Sequence, residues 1–425
     1  MKTLLKVCLL AIVLALGIGE ALGQYMWTQD ARNPILSGGA AATWNSNLFS
    51  PCVLFNTDSS RYEMWLGASF PSHFSIGRAT SKDGINWSMY PTAVLSPTPG
   101  TWDENWVQVP AVIRENGQYK MWYSSYRNIP PVNPYSIGYA TSPDGIHWTK
   151  YSGNPVLGPG TAAWEAGGPY SCAVMSFPGG YKMWYGGDDS TDSHMSIGYA
   201  TSVDGITWRR DTVHNPVLNY GAPGQWDSPH VAFPNVFQTG NTCYMWYAGN
   251  KSGVGRSIGI ATSQDTGITW TKYPNNPVLF PSPGTWYSSD VLPGSVLRRG
   301  DTLDMWYAGG DANGVYRIGH ATSPLPVGGI TERQQEVPQD FMLLQNYPNP
   351  FNPSTTIKYE LPRASQVTLS VYDILGREVS VLVNERKDAG VYEVKFDGAN
   401  YASGVYFYRL QAGDFVQSKR LLLLK

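Results

Sequence analysis

Little in this chain invites a strongly charged partner. Its 30 Lys and Arg residues against 32 Asp and Glu leave a formal net charge of −2. No basic field is present to attract nucleic acid, and none is expected as a partner. Cysteine is scarce, with four residues in all. Cys8 lies in a leader-like segment, so three remain, and an odd number in an exported chain argues against a disulfide framework. Cys52 and Cys172 read as small buried residues on similar strands. Long apolar runs are missing too. The run from Val7 to Leu16 is too short for a membrane span, and no later segment would cross a bilayer as a helix. Helical apolar spacing is absent between residues 25 and 325. No cofactor is expected. Asp188, Asp189 and Asp192 read as a solvated acidic loop rather than a cation site, so no metal is expected.

What is there begins with Lys2, Lys6, the short apolar run and Ala21-Leu22-Gly23. This reads as a secretory signal over residues 1–23. A pattern then recurs five times. In the third copy it runs Trp164-Glu165, Tyr181-Lys182-Met183-Trp184-Tyr185, Ser196-Ile197-Gly198-Tyr199-Ala200-Thr201-Ser202, Asp204-Gly205-Ile206-Thr207-Trp208 and Asn215-Pro216-Val217-Leu218. The Met-Trp pair returns at Trp65, Trp122, Trp184, Trp246 and Trp306, at spacings of 57, 62, 62 and 60 residues. A fixed period of this size marks repeated supersecondary units.

Each copy reads as four strands, rich in Val, Ile, Tyr, Trp and Thr and separated by Gly, Pro, Asn and Asp. The Asp-Gly pair is a hairpin turn into the outer strand, because Gly accepts positive φ and Asp bonds the following backbone. Four-stranded units repeated radially predict an all-β, five-bladed β-propeller over residues 24–323. The fifth copy stops after Ser323 with no outer strand. Residues 25–36 resemble the outer segment 267–279, so the N-terminal strand is expected beside 316–323, completing the last blade and removing its edge.

Residues 324–340, with Pro324, Pro326, Gly328, Gly329 and Pro338, read as a linker. All 16 tryptophans lie before residue 307. Beyond the linker, alternating runs at 367–372, 391–396 and 405–410 predict a small immunoglobulin-like β-sandwich over 341–425. Its Tyr347-Pro348-Asn349-Pro350-Phe351, Asp373-Ile374-Leu375-Gly376-Arg377 and Ala402-Ser403-Gly404-Val405-Tyr406 resemble the C-terminal sorting domain of the type IX secretion system. That resemblance implies export through the periplasm and outer membrane, with the secretion machinery as partner, to a secreted or cell-surface location.

Comparison of the copies separates scaffold from site. Fifteen tryptophans fall at three repeated positions and suit packing between blades. Only Trp106 breaks the pattern, which makes it a candidate sugar-stacking platform. Loops between the second and third strands vary and share a face with the inner-strand entries, where binding usually resides. Arg127 and His230 would position substrate there. Acids near the blade entries are Asp103, Glu104, Glu165, Asp227 and Asp290. Two carboxylates across a pocket suit glycosidic cleavage, and crowding would raise one pKa. Glu165 and Asp290 are the expected acid/base residues, with Asp103, Glu104 and Asp227 as modulators or sugar ligands. An acid directly after the entry Trp recurs in three copies, so turn capping also explains Asp103, Glu165 and Asp227.

The motif Ala140-Thr141-Ser142-Pro143-Asp144-Gly145-Ile146-His147-Trp148, with Asn-Pro-Val-Leu after it, resembles the five-bladed glycoside hydrolases. These include arabinanases, β-xylosidases, invertases and mannoside-phosphorylase relatives. The resemblance implies a glycoside hydrolase acting on polysaccharide or oligosaccharide. That family's acids sit on inner strands, with Asp-Pro in the first blade and Glu-Gly-Pro in the third. Here the sequence reads Ser50-Pro51, Val109-Pro110 and Gly168-Pro169-Tyr170. This departure supports the alternative of a non-catalytic surface carbohydrate-binding protein or adhesin. A sialidase, with six blades, does not match five copies.

Overall fold

The computed structural model describes residues 27–39, 44–69, 73–126, 134–191, 193–251, 254–324, 341–346 and 349–424. The expected signal, the linker, Arg127, Asp192, Tyr25-Met26 and Tyr347-Pro348 lie outside these residues. The described residues hold no α-helix, and none of their elements is a helix long and apolar enough to cross a membrane. The chain divides into two compact units, Met1–Gly328 and Gly329–Lys425.

In the first unit every repeat forms four antiparallel strands. The inner strands are Asn47–Asn56, Gln108–Glu115, Gly168–Phe177, Pro229–Thr239 and Asp290–Arg299. The second strands carry the Met-Trp pairs and the third carry Ser-Ile-Gly or, in the last repeat, Arg-Ile-Gly. A short outer strand closes each of the first four repeats. A single parallel pairing, Met195 with His230, makes the third and fourth repeats one continuous sheet. The outer strand of the fifth repeat is Thr28–Gln29, pairing Thr28 with Thr322 and Gln29 with Ala321. Leu36 bridges Ile318 as Leu95, Leu157, Leu218 and Leu279 bridge their own third strands. The last sheet edge is therefore covered by the first strand of the chain.

The repeated tryptophans have a specific duty. The Trp65 indole N–H donates to the Gly145 carbonyl in the next repeat's turn at 2.8 Å, and Trp122 reaches Gly205 at 2.8 Å. Trp184 reaches Gly267 at 2.7 Å, and Trp306 of the last repeat returns to Gly84 of the first at 2.8 Å. Each carbonyl also accepts from its own outer-strand tryptophan: Trp87, Trp148, Trp208 or Trp270. One oxygen thus uses both lone pairs on two indoles. The Met-Trp residues of all five repeats are fully buried.

Neighbouring inner strands are also stitched together. The Val112 N–H donates to Cys52 Sγ at 3.2 Å, Phe233 N–H to Ser171 Oγ at 2.9 Å, Val296 N–H to Asn235 Oδ1 at 3.2 Å, and Val53 N–H to Ser295 Oγ at 2.7 Å. The Ser124 hydroxyl donates to the Tyr170 carbonyl between the second and third repeats. Cys52, Cys172 and Cys243 are free thiols, and burial pushes the first up to about 11.

The second unit holds two sheets around a common apolar core. One contains Met342–Leu343, Ser354–Leu361 and Gly390–Asp397. The other contains Glu378–Lys387, Ser365–Tyr372, Gly404–Ala412 and Phe415–Leu423. Ser354–Leu361 alternates strictly between partly and fully buried residues, and Ile357, Tyr359, Leu369, Tyr408 and Leu421 meet in the core. The Asn349 side chain accepts the Leu422 N–H at 2.8 Å, and the Phe351 N–H donates to the Leu422 carbonyl, so Asn349 and Phe351 anchor the last strand.

Two stability predictions follow from the turns. Gly205 sits at φ +77°, and a Cβ there would lie 2.9 Å from the Trp122 ring, whereas Gly117, at φ +78°, has nothing within 4 Å. Gly117→Ala should cost roughly 1–2 kcal/mol of backbone strain, and Gly205→Ala roughly 1–3 kcal/mol more from crowding. Denaturant unfolding of both variants measures the difference, and equal losses would show that the indole contact adds nothing. The second concerns Asp204. Backbone N–H groups of Thr207 and Ile206 hold its carboxylate below the ordinary 3.8, at about 2. A depressed folded pKa stabilises above the unfolded value and is lost as pH falls through the folded one. The stability gap between the wild type and Asp204→Asn should therefore shrink between about pH 4 and pH 2. A gap independent of pH in paired melts would contradict this.

Candidate functional site

The inner-strand entries and the loops joining second to third strands do share one face: His230 pairs with Asn250, and Asp290 with Gly310. On that face each inner strand carries a bulge, between Phe49 and Cys52, Gln108 and Ala111, Pro169 and Cys172, Ala232 and Asn235, and Pro293 and Val296. Ser50, Val109 and Phe233 adopt positive φ of 49°, 50° and 54° there, each directly before a proline. Left-handed backbone is costly for such residues, above all β-branched Val109. The bulges line a central cavity with Ser50, Val109, Ser171, Phe233 and Gly294. In the first and second repeats these are the positions where the resembled hydrolases place acids, and Ser50 and Val109 occupy them; in the third repeat Gly167 stands before Gly168-Pro169.

The three repeated acids do not face that cavity. Asp103, Glu165 and Asp227 are only 1%, 4% and 3% exposed. Asp103 Oδ2 accepts from the Tyr123 hydroxyl at 3.0 Å and Lys150 Nζ at 2.6 Å. Glu165 Oε2 accepts from Tyr185 and Arg210 Nε, both at 2.8 Å. Asp227 Oδ2 accepts from Tyr247 at 3.4 Å and Lys272 Nζ at 2.6 Å. Each base sits on the outer strand, so the acids are drawn toward the sheet edge. In the fifth repeat Gln29 makes the equivalent bridge between Tyr287 and Tyr307, with no charge. The sequence admits two accounts of these acids, acid/base work by Glu165 with Asp103 and Asp227 as modulators or sugar ligands, and turn capping; the structure pairs each of the three with a tyrosine and a base in a repeated lock. Glu104 is exposed and caps the Gly100 N–H at 3.2 Å.

Asp290 opens the fifth inner strand on the same face. Its Oδ1 accepts the Arg256 backbone N–H at 2.8 Å and its Oδ2 the Tyr316 hydroxyl at 2.5 Å. Asn47 Oδ1 makes the same backbone contact to Tyr316, at 2.9 Å, where the last repeat meets the first. One oxygen of Asp290 therefore also serves the scaffold. His230 lines a second cavity with Tyr135, Tyr170, Met195, Asn250 and Arg256. Among the described residues no carboxylate lines this cavity, and no cluster of metal-ligating side chains exists.

Trp106 belongs to a continuous aromatic arc. Ring centroids run from Phe49 to Phe74 at 5.5 Å, to Trp106 at 5.0 Å, to Tyr126 at 4.0 Å, to Tyr135 at 6.0 Å, to Tyr170 at 4.8 Å and to Phe233 at 5.3 Å. Of these only Trp106 is expected from the sequence. A signal for two of the others, Phe74 and Tyr135, exists: with Met195, Arg256 and Tyr316 they directly precede the Ile-Gly-containing core of the third strand. There the five copies diverge beside a constant motif.

A family model for the glycosyl hydrolases family 32 N-terminal domain matches residues 101–260, and one for the secretion system C-terminal sorting domain matches residues 345–424. The uncharacterized protein Rv1502 of Mycobacterium tuberculosis is 30% identical over 243 residues, covering 55% of this chain and 77% of that protein. A 1,2-beta-oligomannan phosphorylase of Thermoanaerobacter sp. is 28% identical, covering 53% and 72%. Among solved structures, one described as a glycoside hydrolase superposes with a TM-score of 0.58 at 19% identity, covering 74% of this chain and 95% of its own. A GH130 enzyme described as targeting beta-1,2 mannosidic linkages in Candida mannan gives 0.56 at 19% identity, covering 72% and 98%. What these structures share with the chain is the fold. The chain belongs to the family that includes Rv1502, has a glycoside hydrolase-like propeller fold, and carries a secretion system sorting domain over residues 345–424.

Proposed function

We propose that the protein is an exported, carbohydrate-active five-bladed propeller that holds an oligosaccharide at the mouth bearing Tyr135, Tyr170, His230 and Arg256. The five strand groups are its blades, Thr28–Gln29 is its closing strand, and residues 341–425 are an immunoglobulin-like sorting sandwich read by the type IX machinery. The observation that carries the binding reading is the aromatic arc ending in a cavity with a few convergent polar groups. Aromatic faces cover the apolar faces of sugar rings, and His230, Asn250 and Arg256 supply directional contacts. The relatives that act on mannosides support a glycan as ligand.

Binding without cleavage is the reading the geometry favours. Glycosidic hydrolysis ordinarily needs two carboxylates flanking the bond. Asp103, Glu165 and Asp227 are bound into ion pairs, and Asp290 has both oxygens engaged. A hydrolase reading is favoured by the family match and by Asp290, which bonds the Arg256 backbone. Trp106 extends the sugar platform in both readings.

Binding and product release on one glycan panel separate the two. Tyr135→Ala and Tyr170→Ala should each weaken glycan affinity roughly three- to tenfold, the scale of one aromatic contact. Unchanged affinities in calorimetry would remove the mouth from consideration. Released sugar that disappears in Asp290→Asn, with affinity retained, would establish the hydrolase reading instead.

A further inference from the structure

We propose that Arg256 makes the mouth cavity a receptor for an acidic sugar, one whose ring carries a carboxylate as a uronate does. The proposal rests on the glycan reading above and adds the charge of the ligand. It begins with a position in the repeat. Immediately before the third-strand core the other four copies place Phe74, Tyr135, Met195 and Tyr316, which pack as partly buried apolar groups. The fourth copy alone places a guanidinium there, on the wall of a cavity it shares with Tyr135, Tyr170, Met195, His230 and Asn250.

A cation at such a place needs a reason. Burial works against its charge, and the neighbouring Asp290 carboxylate and Tyr316 outweigh that penalty, so the group is held protonated more firmly than usual. Yet Asp290 does not consume the guanidinium. Its Oδ1 is taken by the Arg256 backbone N–H and its Oδ2 by Tyr316. Among the described residues no salt bridge within 4 Å involves Arg256, whereas Arg78, Arg114, Arg210, Arg299 and Arg317 each have one. Asp290 and Tyr316 act as positioning residues behind Arg256.

The rest of the wall suits the ligand. The described lining contains no carboxylate that would repel an anion. The rings of Tyr135 and Tyr170, 4.8 Å apart, offer aromatic surface to a sugar, and Asn250 and His230 touch at 3.4 Å as a polar pair. A guanidinium fork binds a planar carboxylate through two parallel hydrogen bonds, geometry that neither a hydroxyl nor a lysine supplies. A neutral sugar would leave a partly desolvated cation with the Tyr316 hydroxyl beside it and no carboxylate fork to match its own.

The decisive comparison is the unaltered full chain in calorimetry with trimers of galacturonate, glucuronate and mannuronate, their methyl esters, and inorganic phosphate. The ester keeps the sugar and removes the charge. At least one acid should bind about tenfold or more tightly than its ester, the scale of one charge-assisted pair, and added salt should narrow the gap. Arg256→Gln should abolish the preference, bringing acid and ester to the same affinity, and Arg256→Lys should restore part of it. Acid and ester binding equally, or neutral glycans binding while no acid does, overturns the acidic-sugar assignment and leaves the glycan reading standing. Phosphate binding as well as any uronate shows a simple oxyanion site and overturns the sugar assignment. No binding by any acidic or neutral oligosaccharide overturns both readings. The acid-to-ester comparison needs no variant, so a misfolded Arg256→Gln does not obscure it.

Discussion

An indole N–H leaving one repeat and ending on a turn carbonyl of the next is the contact on which the remaining order depends. It demands a tryptophan at the Met-Trp position, a glycine in left-handed conformation to present its carbonyl, and a gap beside that glycine for the six-membered ring. The turn's aspartate is bound into the same demand, because its carboxylate fixes the backbone that aims the carbonyl. Four junctions show this bond among the described residues, including the one that returns from Trp306 to Gly84. At the fourth-to-fifth junction Trp246 packs edge-on against Trp27, with centroids 6.1 Å apart, as the indole pairs of the other four junctions do. The turn that would precede Trp27 lies outside the described residues.

A scaffold held so far from its mouth leaves the mouth free to vary. The turn face carries nearly invariant chemistry. The opposite face carries Phe, Tyr, Met, Arg and Tyr at one equivalent position. The acid–tyrosine–base locks belong to the scaffold as well. They tie the entry loop to the second and outer strands, and the fifth repeat manages the same connection with a glutamine and two tyrosines. Charge at that lock is therefore one solution among several. What remains polar at the mouth is uneven around the ring and concentrated on the fourth and fifth repeats.

Much of the scaffold was legible because a repeat is its own control. The pairing of Thr28 with Thr322 follows from the likeness of residues 25–36 to 267–279, and the buried tryptophans follow from their period. The fate of the acids was less legible. Asp103 meets its lysine 47 residues downstream, and Glu165 its arginine 45 residues downstream. No local motif joins the two, so an acid beside a loop looks available when it is already paired. Arg256 was hidden for a different reason. It stands just in front of the constant Ser-Ile-Gly, and only strand register shows that this residue enters the cavity. The seven-ring arc is equally non-local, assembled from loops and strand ends of four repeats.

The covered edge of the fifth repeat also sets an order of events. Residues made first are among the last to be satisfied, since the Asn33 side chain bonds the His320 carbonyl 287 positions later. Until that partner has been made, the ring is an unfastened buckle with two open sheet edges. Closing it carries the entropy of a very long loop, so it is intrinsically slow. The interval before fastening is when another copy could pair with either edge. A partly made or truncated chain is therefore more than an incomplete molecule: it exposes adhesive edges that the finished ring hides.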